Sequence, residues 1–62
     1  MDAFDMLLKE LDDKLMQLKE FLAEGKAETF EDYKRLCGEI RGLLTAKEYT
    51  IALKRRLETL DE

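Results

Sequence analysis

The chain has 62 residues, 42% charged and 45% hydrophobic, with a net charge of −4, one cysteine and neither proline nor histidine. One small domain is the most it can form, and at this size a chain buries only about 60% of the surface it exposes when unfolded. A single cysteine excludes an intramolecular disulfide, and without histidine a structural zinc site lacks ligands; of the usual supports for a small fold, association is left.

The acidity is uneven: residues 1–25 hold seven acids against three bases, while 26–62 balance at eight each. An acidic chain is a poor prior for nucleic acid across its whole surface. No apolar run approaches the roughly 18–20 residues of a membrane span, so no membrane partner is expected. The start, Met1-Asp2-Ala3-Phe4-Asp5, lacks the basic segment of a secretory signal. The lone thiol fits a reducing compartment, so a cytoplasmic protein is expected.

Helix 1 is predicted over about 3–24. Phe4, Leu8, Leu11, Leu15, Leu18 and Leu22 recur at alternating gaps of four and three, the spacing of a coiled-coil seam. Leu7 and Phe21 widen it on one flank, while Met6 and Met16 lie off it. Asp2 and Asp5 fall in the first turn, where the helix dipole favours acids. Asp5–Lys9 and Glu10–Lys14 are spaced as i,i+4 pairs. Gly25 stops the helix, and a turn over 25–28 is short enough to make the next helix antiparallel.

Thr29 with Asp32 three residues on reads as the capped start of helix 2, predicted over about 30–60. At roughly 100° per residue, Tyr33, Leu36, Cys37, Ile40, Leu43, Leu44 and Ile51 share one side. Nearly opposite lie Gly38, Gly42, Ala46, Tyr49, Leu53, Leu57 and Leu60. One apolar stripe suffices for a helix in a monomer; a second asks for a second partner. The expected fold is therefore all-α: one antiparallel two-helix hairpin over 1–62, helix 2 the longer, associating into a bundle or on a larger assembly. Its expected seam sets the helix 1 stripe against Tyr33, Leu36, Cys37, Ile40, Leu44 and Ile51, with everything from about Leu53 overhanging.

Candidates for chemistry are few. Cys37 sits among apolar neighbours without an activating imidazole and reads as a packed thiol. Asp12 and Asp13 are adjacent, so they point about 100° apart and form no dyad. Two helices also enclose no pocket of the size ligands need. No catalytic residue, metal site or cofactor is expected.

Gly38-x-x-x-Gly42 followed by Ala46 would let another backbone approach closely. In a membrane this spacing marks a dimer face, but this helix is too charged for that setting. Two glycines in a soluble helix each cost about 1 kcal/mol relative to Ala, which implies a packing reason unless they are tolerated surface positions. Lys54-Arg55-Arg56, with Lys47 before it, is the one basic cluster: a solvated helix end, or a contact for phosphate or an acidic protein.

Residues 28–44, E-T-F-E-D-Y-K-R-L-C-G-E-I-R-G-L-L, resemble small uncharacterised proteins encoded by tailed bacteriophages. In these a Tyr/Arg-rich start leads into a C-G-x-I-x-G-L core on the second helix. The resemblance covers the second half of the chain and implies a virion-associated or host-interacting accessory protein. In a head or tail component, Gly38, Gly42 and the C-terminal leucines would face the assembly, either in the host cytoplasm or in the virion.

The leading expectation is a non-enzymatic structural protein, a phage virion component or assembly factor. Its contact residues would be Gly38, Gly42, Ala46, Tyr49, Leu53, Leu57 and Leu60, packed on other copies or on other phage subunits. The alternatives are a small regulatory module that inhibits a host or phage enzyme by occupancy, and an RNA-binding hairpin dimer.

Overall fold

The chain begins by capping itself. In the computed structural model, which describes residues 1–60, the Asp2 carboxylate accepts a 2.9 Å hydrogen bond from the Asp5 backbone N–H and opens α1, Ala3–Ala23. The helix ends at Glu24 in a paired cap. Gly25, at φ 74°, donates to the Leu22 carbonyl at 3.0 Å, and Lys26 donates to the Phe21 carbonyl at 3.3 Å. This is the Schellman arrangement, and it satisfies carbonyls that the helix end would otherwise leave without donors. Gly25→Ala should cost about 1–2 kcal/mol, the penalty for a Cβ in the left-handed region. A thermal melt unchanged by that substitution would show that the turn does not hold the hairpin.

Thr29 opens α2, Phe30–Leu60, as its hydroxyl accepts from the Asp32 N–H at 3.0 Å. Glu31 and Asp32 occupy the first turn, where negative charge suits the dipole. The two helices pack against each other as a hairpin 51 × 19 × 12 Å in extent. Its radius of gyration is 14.8 Å, against roughly 10.5 Å for a compact domain of this length. The molecule is a rod, and its core is thin: Leu15, Leu18 and Leu36 are its only buried hydrophobic side chains among the described residues.

The α1 stripe is as read from sequence, with Phe4, Leu8, Leu11 and Leu22 half-buried around Leu15 and Leu18. On α2 the inward stripe is Leu36, Ile40, Leu43, Lys47, Thr50 and Lys54, again at gaps of four and three. Cys37 and Ile51 flank it, half-buried. Tyr33 and Leu44, expected in the seam, are instead 49% and 41% exposed. At 100° per residue the observed seam is turned about 55° from the expected one.

The cause is electrostatic as well as apolar. Lys47 Nζ lies 2.7 Å from Asp12 Oδ1, and Lys54 Nζ lies 2.6 Å from Asp5 Oδ1 and 3.6 Å from Asp2 Oδ2. Each lysine lays its aliphatic stem in the seam and carries its ammonium out to an acid on the flank of α1. The two main pairs are seven residues apart on both helices, so they fix one register. Asp5 is thus engaged across the hairpin by Lys54, not along its own helix by Lys9.

Lys54 also corrects the expected overhang. It still engages the first turn of α1, so Leu53 lies within the hairpin and only the last turn and a half projects beyond it.

Candidate protein-packing interface

The outer stripe of α2 runs through Gly38, Gly42, Ala46, Tyr49, Leu53, Leu57 and Leu60. Because the seam is rotated, this stripe lies roughly 120° from it, not opposite it. The rotation tips one edge of the stripe toward α1. Ala46, on that edge, is half-buried, and its carbonyl accepts from the Thr50 hydroxyl at 2.8 Å. Leu53 and Leu57 are 39% and 42% exposed, whereas Tyr49 and Leu60 reach 73% and 78%. A Cβ built at Gly38 or Gly42 would meet nothing within 4 Å. The hairpin's own packing therefore does not require either glycine.

The same tilt recruits residues from α1. Leu7 and Phe21 sit on the flank of α1 away from Asp12 and Met16, so they face the same side of the hairpin as Ala46, Leu53 and Leu57. Both are exposed. Sequence reasoning placed them beside the seam but not on the interface; their offset toward one flank was the available signal. The result is an apolar surface spanning both helices, rimmed near its upper end by the Arg35–Glu39 pair at 3.0 Å.

The opposite side of the hairpin holds an open groove of about 610 Å³. Its floor is Leu15, Met16, Ala23 and Leu44, and its rim is Lys19, Glu20 and the Asp12–Lys47 pair. At the start of α2, Phe30 and Tyr33 stack with ring centroids 6.4 Å apart, and the Lys34 ammonium lies 5.5 Å from the Phe30 centroid. The Cys37 thiol beside the Tyr33 hydroxyl pushes that phenol above its ordinary value of 10.0. Among the described residues, no group of three or more His, Cys, Asp or Glu side chains is placed to hold a metal ion, and no helix is long and apolar enough to cross a membrane.

The basic cluster is split by the fold. Lys47 and Lys54 are drawn to acids of α1, while Arg55 and Arg56 stay exposed around a shallow hollow with Thr59 and Leu60. The hydrogen bond from Lys54 holds the Asp5 carboxyl below its ordinary 3.8, and the same bond raises Lys54 above 10.5. Asp5 therefore contributes stability above its unfolded pKa, lost as pH falls through its folded value. Lys54 contributes below its unfolded pKa, and that is lost as pH rises through its raised folded value. Between those limits the clamp is intact. In Lys54→Met, which keeps the stem, the Asp5 carboxyl followed by NMR should titrate at higher pH than in the parent. Identical titration curves would show that the pair does not persist in solution.

No protein-family model, curated protein or solved structure matches the chain.

Proposed function

We propose that the hairpin is a non-enzymatic packing subunit that uses the outer face of α2 to bind other protein subunits. The observation that carries this reading is the imbalance between core and surface. Among the described residues three hydrophobic side chains are buried, while Tyr49, Leu53, Leu57 and Leu60 on one helix face remain exposed with Leu7 and Phe21 beside them. Each leucine withdrawn from water contributes about 1.5–3 kcal/mol, so a contiguous set of them favours a covering partner. In the setting implied by the resemblance to small phage proteins, that partner is a neighbouring subunit of the particle or of an assembly intermediate. The chain then acts in the host cytoplasm and in the virion.

The test is the double variant Gly42→Glu, Leu53→Glu, compared with the parent by circular dichroism, sedimentation and incorporation into particles. Retained helix with lost association supports the reading; unchanged association and incorporation reject it.

A further inference from the structure

Resting on that packing reading, we propose that the face is covered by a second copy of this chain, laid antiparallel about a two-fold axis between Tyr49 and Thr50 of α2.

The first support is how bulk is distributed along the stripe. Gly38, Gly42 and Ala46 fill its N-terminal half at steps of four, and Leu53, Leu57 and Leu60 fill its C-terminal half at steps of four and three. Counted outward from the midpoint of Tyr49 and Thr50, Ala46 and Leu53 stand equally far, as do Gly42 and Leu57. Gly38 and Leu60 differ by one residue. A two-fold axis there sets each small residue of one copy against a leucine of the other, so knobs meet hollows along the whole contact. Parallel pairing would put leucine on leucine and glycine on glycine, crowding one half and leaving a gap in the other.

The second support is that the glycines serve nothing inside the hairpin, since a Cβ at Gly38 or Gly42 meets no atom within 4 Å. Alanine would fit there and favour the helix. What glycine adds is room for a large side chain to approach the backbone from outside.

The third support is area. The chain exposes 5132 Å² at a mass of 7.3 kDa, whereas a compact monomer of that mass exposes roughly 4,200 Å². The surplus, about 1,000 Å², is of the size that each partner gives up in a standard stable interface, about 800 Å². Residues 38–60 span roughly 34 Å of helix, enough length to bury it.

The experiment has two parts, both on the full chain. Sedimentation velocity of the parent across a concentration series should show a reversible dimer, and Gly42→Ala should weaken it by roughly tenfold or more while leaving the monomer helical. In a Cys37→Ser background, Tyr49→Cys should form a disulfide-linked dimer on mild oxidation, because the two-fold axis brings it beside its own mate. Leu60→Cys should not, because its mate lies near Gly38. Cross-linking at Leu60→Cys as fast as at Tyr49→Cys overturns the antiparallel arrangement. A parent that stays monomeric at its highest soluble concentration overturns the second copy. If that monomeric chain still enters particles, and the Glu double variant does not, a different subunit covers the face and the packing reading stands without this one.

Discussion

Leu15→Ala should lower the stability of the hairpin by about 2–5 kcal/mol, the range for large-to-small changes at buried sites. Leu15 is only 4% exposed and, among the described residues, shares the buried core with Leu18 and Leu36 alone. Small native domains are stable by roughly 0.05–0.15 kcal/mol per residue, which for 62 residues is about 3–9 kcal/mol in all. The loss is therefore comparable with the whole stability. The variant should be unfolded at 37 °C, or melt at least about 10 °C below the parent. Met16→Ala is the control: Met16, next to Leu15, is 61% exposed, and such surface changes usually fall within about 0.5 kcal/mol. If the two variants melt alike, the seam does not hold the fold. Since a dimer adds stability by mass action, the melts belong at several protein concentrations.

The strength of that expectation reflects how legible α1 is. Its six seam residues are all large and apolar, its polar residues keep to the other faces, and Gly25 ends it by a mechanism visible in the sequence. The hairpin, the unequal helix lengths and both caps follow from signals of this kind. Helix α2 was harder because it carries apolar residues around more than half its circumference. With Tyr33, Leu44 and Ile51 on one side of the stripe centre and Ala46 and Leu53 on the other, hydrophobicity alone leaves the rotation loosely set. Lys47 and Lys54 decide it. Counted as charged residues they mark solvent; in the fold their stems lie in the seam and their ammoniums find Asp12 and Asp5. Reading them as amphipathic, and asking which acids of α1 lay within reach, would have turned the helix to its observed position.

The interface was legible as a stripe but not as a surface. Residues 38, 42, 46, 49, 53, 57 and 60 share a helix side whatever the hairpin does, so periodicity sufficed to group them. Their angle to the seam depended on the two lysines, and with it the inclusion of Leu7 and Phe21. The stacked Phe30–Tyr33 pair escaped for the same reason: placing Tyr33 in the seam left no exposed partner for Phe30.

Gly42→Glu combined with Leu53→Glu should abolish association while leaving the hairpin folded. Gly42 is exposed with open space around it, so a longer side chain meets nothing in the monomer, and glutamate is a better helix former than glycine. Leu53 is 39% exposed, and replacing it removes some shelter near the start of α1 but none of the buried core. Helix content by circular dichroism should thus match the parent, with a modest fall in melting temperature at a concentration where both are monomeric. In the associated state the outcome reverses. A carboxylate at either position must lose water without a partner, which costs far more than a lost methylene contact, and two of them fall on one side of one helix. In a two-fold pair Gly42 faces Leu57 and Leu53 faces Ala46, so four glutamates would enter a contact built from leucine and glycine. Association should weaken by several orders of magnitude. Lys9→Glu, exposed on the side of α1 away from Leu7 and Phe21, is the matched charge control and should associate as the parent does. Loss of association in that control as well would trace the effect to added negative charge on a chain already at −4; loss only in the double variant places the contact on the outer face of α2.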